Sequence, residues 1–191
     1  VLNRLMSDID ADFQRLIFID TSYSLNQVEI SEVYEILGME RIEDPELLKK
    51  VSLFSGADIK DVNSVRATFD EMLNSGNIYK LKNDTLISQT IEYYRLVDEN
   101  TYQSREDRRE FRNLFYGPDL LDFWYIRSAN GNNLELAKKF FANANSDDYK
   151  RVVQTVNWSG GLIQRGRNRN AQLIRKNRGL KETLLKELNS R

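Results

Sequence analysis

The 191-residue chain contains no cysteine and no histidine. The first absence excludes disulfides, thiolate nucleophiles and cysteine-ligated metal sites. The second removes the commonest general base and metal ligand, and the side chain that titrates nearest neutrality. Only two prolines and nine glycines are present, too few turn formers for an all-β or loop-rich fold. No apolar run approaches the ~20 residues of a membrane-spanning helix, and no signal peptide is visible. No internal repeat and no low-complexity tract appears.

What is present suits one helical domain. Apolar residues make up 40% of the chain, enough for a core. The net charge of −1 hides an asymmetry: residues 1–60 hold twelve acids against six bases, and residues 150–191 hold two against eleven. A basic C-terminal stretch points to nucleic acid, to anionic lipid, or to an acidic helix lying beside it. The acidic first and basic last segments both carry long apolar seams, so mutual pairing is the favoured reading.

The chain reads as helices separated by short stops. Leu2, Leu5, Ile9, Phe13, Leu16, Ile19 or Asp20, Tyr23, Ile30 and Leu37 recur near three-and-four spacing, with gaps around Gln27, which predicts one helix from Val1 to about Leu37, with Gly38 as its stop. Asp8, Asp10 and Asp12 spell the opening of a calcium loop. Phe13 and Ile19 stand where that loop needs glycine and glutamate, so Asp8 and Asp12 are expected to be solvated on one helix face. Asp44 and Pro45 then open a short helix that Ser55-Gly56 closes. Asn63 or Ser64 is expected to cap the next helix, with Val65, Phe69, Met72 and Leu73 on its apolar face and Ser75-Gly76 as its end. Ile78, Tyr79 and Leu81 cross the corner as apolar plugs. Asn83 or Asp84 caps a further helix with Leu86, Ile87, Ile91, Tyr94 and Val97 facing inward. That helix is expected to continue through the polar run DENTYQSREDRRE, resume its apolar face at Phe111, Leu114 and Phe115, and stop at Tyr116-Gly117-Pro118.

Six aromatics fall between Phe111 and Tyr125. They suit a core layer at a helix corner, or a ligand cleft. Residues Ser128 to Asn133 read as a turn, and Leu134 to Phe141 as a short helix. Ser146 or Asp147 caps the last helix, whose seam runs Tyr149, Val152, Val156, Gly160, Ile163, Gly166, Leu173, Asn177, Leu180, Leu184 and Leu188. Gly160, Gly161 and Gly166 interrupt it, as close-approach or hinge positions. GGLIQRG matches no phosphate-loop fingerprint. The cluster Arg165, Arg167, Arg169, Arg175, Lys176, Arg178 and Lys181 spreads around the helix without interleaved aromatics, a poor pattern for single-stranded nucleic acid.

The stretch from Phe69 to Tyr94 also carries a likeness. Phe69, Leu73, Ser75, Gly76, Ile78, Leu81, Lys82, Asn83, Asp84, Leu86, Ile91, Tyr93 and Tyr94 follow a corner pattern that resembles an uncharacterised family of bacterial single-pass membrane-anchored proteins. Leu5 to Leu16 resembles that family's first extramembrane helix. The resemblance implies a transmembrane helix preceding Val1 and a domain facing the periplasm. It carries over no activity and no site residues.

The expected fold is all-α: an elongated antiparallel bundle forming a single domain. Residues 1–38 and 147–191 would be long paired helices, and residues 39–146 a body of shorter ones. No catalytic, cofactor-binding or metal-ligating residue is nominated, and no carboxylate pair stands out from spacing. The expected role is a non-enzymatic envelope domain that senses, scaffolds or binds an envelope protein or small ligand. A soluble nucleic-acid-binding module using the basic last helix is the alternative. Homodimerisation through the long helices stays open.

Overall fold

The computed structural model describes residues 1–39, 41–115 and 134–190. Over these residues the fold is all-α, with six α-helices, one 3₁₀ segment and no strand. Helix α1 spans Leu2–Leu37, as its seam predicts, and Gly38 follows. Helix α2 spans Pro45–Leu53; the Asp44 carboxylate accepts the Glu46 N–H at 2.8 Å and proline opens the first turn. Helix α3 spans Ala67–Asn74 and ends at Ser75, with Gly76 left-handed at φ 67°. A 3₁₀ segment, Asn77–Leu81, leads to Lys82 at φ 57°. Helix α4, Asp84–Phe115, runs unbroken through the polar stretch, and Asn83 Oδ1 caps it by accepting the Leu86 N–H at 3.0 Å. Helix α5 spans Leu134–Phe141. Helix α6 spans Asp147–Asn189, with Ser146 Oγ accepting the Tyr149 N–H at 3.1 Å. Among the described residues no helix is long and apolar enough to cross a membrane. The aromatic stretch Asp119 to Arg127, the stop before it and the turn after it lie outside the described residues.

The chain forms two compact units. The first comprises Val1–Ser22, Lys60–Arg105 and Gly166–Arg191. Its core holds Leu5, Ile9 and Leu16 of α1, Phe69 and Met72 of α3, Tyr93 and Tyr94 of α4, and Leu173, Leu180 and Leu184 of α6. Each fully buried leucine stabilises by roughly 1.5–3 kcal/mol. Within this unit α1 and α6 run antiparallel, because Asn177 Nδ2 donates to the Ile9 carbonyl and Asn170 Nδ2 to the Leu16 carbonyl, both at 2.9 Å. Phe69 stacks on Tyr94 with centroids 4.2 Å apart.

The second unit comprises Tyr23–Ile59 and Glu106–Arg165. Tyr23, Ile30 and Val33 of α1, Leu48 and Val51 of α2, Phe111 and Phe115 of α4, Phe141 of α5, and Val152 and Val156 of α6 are buried there. Here too α1 and α6 are antiparallel: Gln27 bonds Gln164 at 3.2 Å and the Tyr149 hydroxyl donates to the Leu37 carbonyl. Asn26 fastens the chain after α2, donating to the Gly56 carbonyl at 3.1 Å and accepting the Asp58 N–H at 2.8 Å. Gly56 sits at φ 80°, and a Cβ there would collide with the Phe111 ring.

Several expectations need correction. Neither Asn63 nor Ser64 caps α3, which begins only at Ala67 with no side-chain bond from its own cap residue. Its cap comes from α1, where the Asp8 carboxylate accepts the Thr68 N–H at 3.1 Å. Tyr79 is 73% exposed rather than a plug, and Leu73, Ile91 and Leu114 are also exposed, while Ile78 and Leu81 are buried. The tight 3₁₀ turn puts successive side chains on different sides, so one segment cannot bury all three. Close helix approach does not explain Gly160 and Gly161. A Cβ at Gly160 would make ordinary contact with Ile30 at 3.5 Å, and one at Gly161 would meet open space.

Candidate functional site

The three early aspartates part company in the fold. Asp12 is 1% exposed, against the expectation of a solvated side chain. Its Oδ1 accepts the Val65 N–H at 2.6 Å and its Oδ2 the Tyr93 hydroxyl at 3.0 Å. Asp8 holds Thr68, and Asp10 pairs with Lys181 at 2.5 Å. Helical spacing sets all three on α1, but Thr68 of α3, Val65 before α3 with Tyr93 of α4, and Lys181 of α6 draw them to different partners. Among the described residues no group of three or more acids is placed to hold a metal ion.

The Asp12 locus is a buried polar network. Asn177 Nδ2 donates to the Tyr93 oxygen at 3.3 Å, and the Tyr94 hydroxyl donates to the Val65 carbonyl at 3.0 Å. Burial pushes the Asp12 carboxyl above its ordinary range, against the lowering pull of the Val65 N–H and the Tyr93 hydroxyl. Burial also raises both phenols far above theirs, with the Asp12 charge as the next cause. Tyr93 and Tyr94 therefore stay protonated and serve as donors. A general base must reach a substrate proton; this carboxylate is sealed and both its oxygens are engaged. The network ties α1, α4 and α6 to the start of α3.

Four basic residues of α6, Arg165, Arg167, Lys176 and Lys181, are met by acids within their own units. In the first, Arg167 lies 3.7 Å from Asp20, Lys176 2.8 Å from Glu92 and Lys181 2.5 Å from Asp10. The Arg178 guanidinium stands 5.4 Å from the Phe13 ring centroid. In the second, Arg165 reaches Asp107 at 3.3 Å and Glu110 at 3.4 Å. The expected pairing of an acidic first helix with a basic last one is thus observed, with α4 supplying further acids. Each such partly exposed pair is worth up to about 1 kcal/mol, and together they offset part of the positive charge of α6.

The second unit also carries a cleft of about 750 Å³ that the sequence reading did not single out. Glu110, Asn113 and Leu114 line it from the last turns of α4, and Arg151, Gln154, Thr155, Asn157 and Trp158 from the first turns of α6. Positions 110, 113 and 114 share one helical face, as do 151, 154, 155 and 158. Two stripes of amide, hydroxyl and charged groups therefore meet across a groove. Trp158 is 43% exposed. The Arg165 guanidinium lies 5.8 Å from its ring centroid while pairing with Glu110 of α4, which links the two sides of the groove. A half-exposed tryptophan at helical spacing from polar residues was the available signal, but the buried seam beside it dominates the pattern. No protein-family model matches this chain, and comparison with curated proteins and with solved structures likewise finds no match.

Proposed function

We propose that this chain is a non-enzymatic binding domain of a bacterial envelope protein, tethered to the membrane by a helix preceding Val1 and facing the periplasm. The observation that carries the non-enzymatic reading is the sealed Asp12 carboxylate, whose oxygens are both engaged by Val65 and Tyr93. The most deeply buried carboxylate among the described residues thus ties elements together instead of facing a substrate. The tether rests on the likeness of the Phe69 to Tyr94 corner to anchored proteins. A soluble nucleic-acid-binding module is the competing reading. It needs a free cationic face on α6, and the ion pairs from Arg165 to Lys181 weigh against one.

Membrane fractionation of the intact gene product, with protease added to spheroplasts, tests the proposal. The expected result is a product that pellets with the inner membrane and is cut from outside. A soluble, protease-protected product would overturn the tether and make the basic helix the lead.

A further inference from the structure

We propose that the cleft between the end of α4 and the start of α6 binds a neutral saccharide, with Trp158 as the platform on which a sugar ring stacks. The proposal rests on the binding-domain reading above by naming its ligand class, and it does not depend on the tether. The cleft's volume of about 750 Å³ falls within the roughly 300–1,000 Å³ typical of small-molecule sites, with room for a short oligosaccharide.

The lining chemistry selects the class. The face of an indole ring is electron-rich and attracts weakly positive C–H groups, which one face of a pyranose presents. Asn113, Gln154 and Asn157 each offer both donors and an acceptor, and Glu110 and Arg151 add a carboxylate and a guanidinium. That mixture matches vicinal hydroxyls, which donate and accept at once. Among the described lining residues the charged groups are Glu110 and Arg151, and the neighbouring Arg165 pairs with Glu110, so the carboxylate offsets the cations that a phosphate clamp would need. Leu114 and Trp158 supply apolar surface beside these polar groups, as a sugar ring face flanked by hydroxyls requires. The wall is also preorganised: Arg165 pairs with Glu110 at 3.4 Å and lies over Trp158, so binding orders fewer side chains.

The test is a calorimetric titration of the whole purified chain with maltotriose, cellotriose and the trimer of N-acetylglucosamine, each to about 10 mM, a range that reveals millimolar affinity. Inorganic phosphate and a single-stranded oligonucleotide serve as controls. The expected result is saturable binding of at least one sugar, neither control binding. Trp158→Ala should weaken it by about tenfold or more, as for an aromatic anchor, and Trp158→Phe should restore part of it. Asn157→Ala, at an exposed position, should weaken it with an unchanged circular-dichroism melt. No binding by any of the three sugars, or binding that Trp158→Ala leaves intact in a folded variant, overturns the proposal. Binding of a control alone overturns the ligand class. The titration is done in solution, so its failure leaves the fractionation result standing, and the converse also holds.

Discussion

Two residues show how single positions hold this fold. Asp12 ends Val65 and Tyr93 at one buried carboxylate. Asp12→Ala strands both donors, and an unsatisfied buried group costs about 1–3 kcal/mol; a loss of about 2–4 kcal/mol is expected in urea unfolding. Asp12→Asn keeps an acceptor for Val65 and removes the buried charge, so it should lose much less. The pH dependence follows from the raised carboxyl pKa. The folded chain holds this proton more tightly than the unfolded chain, so protonation favours folding. Wild-type stability should gain on Asp12→Asn as pH falls through the raised folded value toward the ordinary carboxyl value of 3.8, with no such gain above that folded value. Glu71 and Glu92 are lowered by Arg4 and Lys176; they act oppositely but equally in both proteins. A stability difference that stays flat with pH would refute the assignment. Gly56 is the second case. Its left-handed backbone and the Phe111 ring both exclude a side chain, so Gly56→Ala should cost about 3 kcal/mol, read as a lowered urea midpoint.

At the scale of elements, the helices begin and end where local chemistry directs. Asp44, Asn83 and Ser146 cap their own helices. Helix α3 is the exception, and Asp8 of α1 caps it from a distance. An acceptor there meets both a free N–H and the positive end of the helix. Helix α6 carries the opposite irregularity. Gly160 and Gly161 lie inside it, yet a Cβ would meet only ordinary contact at the first and nothing at the second. Interior glycine costs about 1 kcal/mol relative to alanine. Gly161→Ala should therefore raise stability by about 1 kcal/mol and Gly160→Ala by somewhat less, measured by thermal and urea unfolding. A loss at Gly161 would show that α6 needs its flexibility there.

For the whole molecule, charge is the quantity that connects sequence to role. The basic stretch reads at first as a nucleic-acid or lipid surface. In the fold Arg165, Arg167, Lys176 and Lys181 face Asp107 and Glu110, Asp20, Glu92 and Asp10 respectively. Their partial exposure and the ~8 Å screening length at physiological salt leave little long-range field. At about 150 mM salt, single- or double-stranded oligonucleotides should show no saturable binding in a fluorescence anisotropy titration. Tight binding with a steep salt slope would restore the nucleic-acid reading.

By itself the sequence determined the helical class, the near-exact extents of α1, α4, α5 and α6, and the ends of α1 before Gly38 and of α3 before Gly76. These are local matters: apolar period, capping side chains and left-handed glycine act within a turn or two of the chain. Tertiary structure decided what that range does not reach. Asp12 looks like any surface aspartate until Val65 and Tyr93, 53 and 81 residues away, close over it. The late start of α3 depends on Asp8, and the exposure of Tyr79, Leu73 and Leu114 on which faces the neighbouring helices leave open. The cleft beside Trp158 exists only because two polar stripes, one on α4 and one on α6, come to face each other. Burial and concavity are properties of pairs of elements, and pairing is settled by the packing of the core.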